Sequence, residues 1–350
     1  MKLFLTPAMF SKMDRVLVEN EQLSISSFTF STGVEALRVT VGRGEFIWLP
    51  FYAQSLWSWK IDGTEQKFDG FVPEPDYGAV DFLHNYGGFL IHCGITGMGH
   101  PGEGDEHLHH GELPRARYTE AWIEIDERAT RPVVLGGCFT HKIPFKANYA
   151  FKPTLSIAAD GTSVVVESTL ENLQNTPLPY MYLNHLNFSL EGARSLQYGV
   201  PHFNAEHVTV LSEVIDGIVS NPERLLAIDT LGDIEPELVA VFKNEGQHGA
   251  VMVNTLARDD GGTVWVAIDT DGLDHTVIWL TRNADRSAAG FSLPATAGPR
   301  GFSEEARHGN IKWLEAGGAV HFKFAFGVED AGQHNTLQQI ITLLGGTYGR

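Results

Sequence analysis

Six short runs, "ARYTEAWIEID", "TSVVVESTLEN", "AVMVNTL", "GTVWVAID", "HTVIWLT" and "AVHFKFAFGV", are rich in Val, Ile, Trp and Thr. Side chains that branch at Cβ or carry rings suit a pleated, half-buried strand. Turn residues separate the runs at Asp160-Gly161, at Asn175-Thr176-Pro177 and from Asp259 to Gly262. Strands of this kind satisfy their backbone groups only by pairing edge to edge. Helical periodicity is scarce. Leu337, Ile340, Ile341 and Leu344 fall at i, i+3, i+4 and i+7 with Gly345 as a stop, and Pro222 to Ile228 is a weaker candidate. No repeat, linker or low-complexity tract divides the chain. The pattern predicts an all-β protein, a large antiparallel β-sandwich with a short C-terminal helix, as a single domain over residues 1–350.

The balance of 25 basic against 43 acidic residues, a net charge of −18, argues against nucleic acid or an anionic membrane as a partner. A small molecule is the expected ligand, with the chain a monomer or homodimer. The two cysteines, Cys93 and Cys138, cannot build a disulfide framework, and reduced thiols in the cytoplasm are the simplest reading. Cys93 alternates with apolar neighbours, as a buried small hydrophobe does. The segment "MKLFLTPAMFSKMDR" lacks the pattern of an export signal, and no apolar run reaches transmembrane length, so a cytoplasmic location is expected.

Two segments carry chemistry. In "YLNHLNFSL", Tyr182 to Leu190, one strand face holds Tyr182, Asn184, Leu186, Phe188 and Leu190, and the other holds Leu183, His185, Asn187 and Ser189. A histidine, an amide and a hydroxyl on one face suit either a water-facing surface or a ligand cleft. Asn184, on the opposite face, reads as an amide satisfying backbone groups in the core. The second segment, "GHPGEGDEHLHHGELP", places His107 and His109 two apart with Glu112 three further on. Imidazole and carboxylate suit a divalent first-row metal, and the pattern resembles the cupin metal motif. The carboxylate is closer to the second histidine than in that motif, and no partner motif follows, so neither metal nor cofactor is expected.

Taken together, "HHGELP" and "YLNHLNFSL" resemble the aldose 1-epimerase (galactose mutarotase) superfamily, in which a His-Gly pair and a later Asn-His-x-Tyr-Phe-x-Leu strand set two histidines over a sugar. "YGGFLIHCG", "HGELP", "MYLNHLNF", "FIWLPFYAQSLWSWKIDG" and the closing "LPATAGPRGF" and "NIKWLEAGGAVHFKFAFGV" are similar to its DUF4432 branch. The resemblance implies a galactose mutarotase-like β-supersandwich and an isomerase acting at the anomeric centre of a free sugar or sugar acid. It implies that His185 is the general acid and His110 a second, substrate-contacting histidine. Imidazole suits such work because its ordinary pKa lies near neutrality.

One departure matters. The superfamily's general base is a glutamate before a proline in a C-terminal segment, and here "GFSLPAT" places Leu293 before Pro294. Glu112 is the first candidate for a replacement, and the adjacent Glu304 and Glu305 read as solvated loop residues. Arg43, Lys142, Asn187 and His109 are candidate sugar contacts. Of Trp48, Phe51, Tyr52, Trp57 and Trp59, one or two are expected to line a site and the rest to be core. Three functions stand open. The first is a metal-free sugar epimerase. The second is a metal-dependent isomerase or lyase using His107, His109 and Glu112. The third is a sugar-binding protein without turnover.

Overall fold

The computed structural model describes all residues except 202, 213, 216, 245–248, 334 and 346–350. Its strands form two antiparallel sheets, one of ten strands and one of thirteen. All six runs singled out above contain strands, and each named turn joins one of those strands to the strand next to it along the chain. Each sheet is apolar on the face it turns to the other, and their side chains form one buried cluster that extends from Leu5 to Phe326. At its centre Trp59 packs edge-on to Phe89 and Phe326, with centroids 5.4 and 5.1 Å away. Tyr182 stacks on Phe322 at 4.6 Å.

The two outer faces are covered differently. On the ten-stranded sheet lies the helix Asn335–Leu343, where Ile340 and Ile341, with Leu344 just beyond, bury against Val165, Trp265 and Ala325. This is the helix its periodicity predicts, and Gly345 follows with a positive φ of 83°. The weaker candidate is not an α-helix: Pro222–Leu226 is a 3-10 turn and Ala227–Ile228 a short strand. A short α-helix at Phe302–Arg307 has no apolar periodicity long enough to announce it. Among the described residues no helix is long and apolar enough to cross a membrane.

The outer face of the thirteen-stranded sheet carries the site. Six adjacent strands there run in the order Leu90–Ile95, Leu178–Leu186, Ser287–Ala295, His275–Arg282, Glu237–Lys243 and Val208–Val210. They come from distant parts of the chain, so only the closed sheet brings their outward side chains together.

Candidate functional site

Alternation along Leu178–Leu186 sends Tyr182 and Asn184 inward and Leu183 and His185 outward. His185 and Leu183 meet Leu293, Val277, Trp279, Val239 and Glu237 from the neighbouring strands around a cavity of about 480 Å³. Phe82, Tyr86, His100, His109, His110 and Pro299 close it from the connecting loops. The volume suits a monosaccharide-sized ligand.

His110 reaches the cavity because of an unusual turn. Its φ is +58° and that of Gly111 is +77°. The His110 N–H donates to the Gly99 carbonyl at 2.9 Å, and the Gly94 N–H donates to the His110 carbonyl at 2.9 Å. A Cβ at position 111 would lie 2.3 Å from the Gly97 oxygen and 2.6 Å from the Gly94 oxygen. The His-Gly pair is therefore a geometric requirement, since only glycine permits this approach with a left-handed backbone. His110 stacks on His109 with centroids 4.6 Å apart, packs on Phe82 at 4.5 Å and stands edge-on to His185 at 5.4 Å.

His185 is held in one tautomer. Asn187 Nδ2 donates to the Gly88 carbonyl at 2.8 Å, which turns Asn187 Oδ1 toward the histidine. That oxygen lies 2.7 Å from His185 Nδ1 and accepts from the Tyr86 hydroxyl at 2.5 Å. An amide oxygen can only accept, so Nδ1 carries the proton and Nε2 carries the lone pair. Burial pushes the Tyr86 hydroxyl well above its ordinary pKa, which keeps it a donor. Burial pushes His185 down to about 4, against the opposing hydrogen bond that it donates to Asn187. Burial, with His185 and His109 nearby, holds His110 well below its ordinary value. Both imidazoles are neutral at pH 7.

Buried neutral histidines make stability pH-dependent. His92, behind the site, is pushed down to about 3 by burial. In the unfolded chain a histidine titrates near pH 6.5, so acidification protonates the unfolded state first. The stability associated with these groups is complete above about pH 6.5 and is lost as the pH falls toward their folded values. The expected slope is about 1.4 kcal/mol per pH unit for each group in that window. Urea unfolding midpoints at pH 7 and pH 5 check this, and equal midpoints would refute it.

The other candidates separate. Asn187 lies beneath His185 and orients it rather than lining the cavity. His109 lines the cavity, but His107 points away and sits 3.4 Å from Asp105. The Glu112 carboxylate accepts from the Thr96 N–H at 3.0 Å, the Thr96 hydroxyl at 2.8 Å and the Tyr149 hydroxyl at 2.5 Å. The left-handed turn at His110 and Gly111 swings it off the site, so Glu112 braces the loop and is not placed to act on a ligand. His107, His109 and Glu112 do not converge, and no group of three metal-ligating side chains occurs among the described residues.

Arg43 is tied to Asp62 and Asp330, each 2.6 Å away, at a turn remote from the cavity. Lys142 is exposed near the end of the strand Val133–Ile143 in the ten-stranded sheet. Trp48, Phe51, Tyr52, Trp57 and Trp59 are all buried, and none lines the cavity. Glu305 is not a solvated loop residue. Its buried carboxylate accepts from Arg300 Nε at 2.7 Å, Asn310 Nδ2 at 2.6 Å and the Gly298 N–H at 3.1 Å. It thereby fixes the turn that presents Pro299. Asn184 bonds side chains rather than backbone, with Nδ2 3.1 Å from His92 Nδ1 and 3.4 Å from the Tyr182 hydroxyl. Cys93 is fully buried, and burial pushes its thiol up.

Three important lining residues carried no sequence signal specific enough to single them out. Trp279 packs 5.4 Å from the His185 ring, and its N–H donates to Glu237 at 3.1 Å. Tyr86 stands edge-on to both His185 and Trp279. Glu237 is a lining carboxylate reached through a strand far from either histidine motif. Alternation in "ELVAVF" would have paired Glu237 with Val239 on one face, without revealing what that face meets.

Two sheets of these sizes, with a histidine pair on one outer face, define a galactose mutarotase-like fold. A crystal structure described as a "putative aldose 1-epimerase" from Klebsiella pneumoniae subsp. pneumoniae MGH 78578 superposes with a TM-score of 0.79, covering 99% of this chain and 96% of its own at 16% identity. A galactose mutarotase-like protein from Clostridium acetobutylicum gives 0.64, with 89% and 100% coverage at 11% identity. The Slr1438 protein from Synechocystis sp. PCC 6803 gives 0.57, with 91% and 96% coverage at 14% identity. At such identities these likenesses establish the fold. The chain belongs to the DUF4432 family, a domain of unknown function, whose model matches residues 24–328. No curated protein matches the sequence.

Proposed function

We propose that this protein binds a free monosaccharide in the cavity and interconverts its anomers by proton transfer. The observation that carries this reading is the fixed tautomer of His185, which leaves Nε2 as a lone-pair acceptor on a cleft of monosaccharide size. Resting His185 therefore enters the reaction as a base, not as the acid that the superfamily resemblance implies. Nε2 takes the proton from the anomeric hydroxyl while the bond between C1 and the ring oxygen breaks. An aldehyde forms at C1, and the ring oxygen receives the proton from the imidazolium. Rotation about C1–C2 and reversal of the same transfers give the other anomer. His110, neutral and adjacent, serves as a hydrogen-bonding partner to the oxygen that gains charge.

Leu293 lines the cavity at the position where the resemblance implies a glutamate, so it supplies no base. Glu237 is the carboxylate that lines the cavity among the described residues. Its place beside Trp279 suits it to accept from a sugar hydroxyl and orient the ring. Glu237→Gln is expected to raise KM about ten-fold and leave kcat within a few-fold, because a neutral amide keeps an acceptor oxygen. Anomeric exchange measured by NMR magnetisation transfer provides the test. A fall of kcat by about 10²–10⁴ in that variant would make Glu237 the base instead. Binding without exchange in the parent would identify a sugar-binding protein without turnover.

A further inference from the structure

Resting on the reading of the cavity as a sugar site, we infer that its ligand is a neutral deoxy sugar, with a methyl or methylene group seated on an aliphatic floor. Leu183, Val277, Leu293 and Val239 form that floor from four neighbouring strands, and Val277 and Leu293 are directly paired. Leu183 and Leu293 are each 1% exposed and Val277 is 2% exposed, so the floor is close-packed, with Val239 the most accessible of the four. None of the four carries a hydrogen-bonding side chain. His185, Trp279 and Glu237 stand two residues from Leu183, Val277 and Val239 on the same strand faces and border the floor, and His100, His109, His110 and Ser212 lie on the connecting segments.

A hydroxyl turned onto any of these four side chains finds no hydrogen-bonding partner there. A site discriminates by roughly 10–100-fold for a single mismatch of this kind. Geometry agrees with a deoxygenated carbon there. Leu183 is two residues along the strand from His185, a rise of about 7 Å. The anomeric oxygen and C6 of a pyranose are 1,3-related across the ring oxygen and lie closer together than this, so the hydrogen bond to His185 makes up the remainder of the span. With C1 at His185, the C6 position falls over the floor, so a 6-deoxyhexose would place its methyl on it.

The wall also selects for neutrality. No Lys or Arg lines the cavity among the described residues, and burial holds His109, His110 and His185 toward the neutral form. The one carboxylate that lines the cavity among the described residues, Glu237, repels an anion. Arg115, close enough to act on His109, donates to the Gly111 carbonyl at 3.3 Å and the Val80 carbonyl at 3.4 Å, so a uronic acid or a sugar phosphate would be stripped of water with no lining cation to receive it.

The test compares sugars that differ by a single group: D-galactose with 6-deoxy-D-galactose, D-glucose with 6-deoxy-D-glucose and with 2-deoxy-D-glucose, and each hexose with its uronic acid. Binding is read by saturation-transfer NMR and turnover by anomeric exchange. At least one deoxy sugar is expected to bind and exchange ten-fold or more better than its parent, and the uronic acids are expected to be worst. Val277→Thr keeps the side-chain shape and adds a hydroxyl to the floor, so it should narrow that ratio. Equal or better use of the hydroxylated sugars, a preference for uronic acids, or an unchanged ratio in Val277→Thr would overturn the inference. Selective binding of a deoxy sugar without exchange would support it while removing the proposed turnover. Absence of binding by every sugar would remove both.

Discussion

His185→Ala is expected to lower anomeric exchange by a factor of about 10²–10⁴, the usual contribution of a positioned proton acceptor. The fold should survive. His185 faces the cavity, and the Asn187 oxygen that it engages keeps its bond from Tyr86. The loss of packing against Phe82, Tyr86 and Trp279 should cost about 1–2 kcal/mol. Circular dichroism and urea unfolding check the fold, and NMR exchange checks the chemistry. The pH profile of kcat/KM supplies a second reading of the same group. If His185 is the acceptor, the acid limb in the parent should lie near its folded value of about 4 rather than near 6.5. Undiminished exchange in a folded His185→Ala protein would remove His185 from the mechanism.

Gly111→Ala should have the largest effect on the loop that carries His110. The new methyl would meet two backbone oxygens, at 2.3 and 2.6 Å, and backbone cannot yield as a flexible side chain does. The left-handed φ of +77° adds its own cost for a residue with Cβ. A loss of about 2–4 kcal/mol is expected, or a shifted loop that withdraws His110 and abolishes sugar binding. Gly104→Ala in the same loop is the control. Its φ is +87°, but nothing lies within 4 Å of a Cβ there. That variant should cost about 1 kcal/mol and leave binding intact. Equal behaviour of the two variants would show that close approach at Gly111 does not govern the loop.

These outcomes depend on features that the sequence reveals unevenly. The strands and the C-terminal helix are readable because their periodicities are local and each has a plain physical cause. His110 and His185 are readable because each sits in a motif dictated by its own backbone, a left-handed turn before glycine and an alternating strand. Glu112 misleads for the same local reason. It is two residues from His110 in sequence, but the turn that frees His110 sends Glu112 to Thr96 and Tyr149. Glu237 and Trp279 are hidden for the opposite reason. Their strands join the site only through the order of the thirteen-stranded sheet, and strand order is a long-range property that alternation cannot supply. Glu305 reads as solvated because the sequence gives no hint that Arg300 and Asn310 fold back onto it.

The partner behind His185 has a consequence for the kind of reaction this protein can serve. Many hydrolytic sites place a carboxylate behind the imidazole, which raises its proton affinity and favours holding the proton once taken. Asn187 is an amide and brings no charge. It fixes the ring's orientation and leaves its basicity low. An imidazole of this kind holds a borrowed proton weakly and returns it readily. Such a group suits a conversion whose two ends differ little in free energy, where acceptance and return must be comparably easy, and suits poorly a reaction driven strongly in one direction.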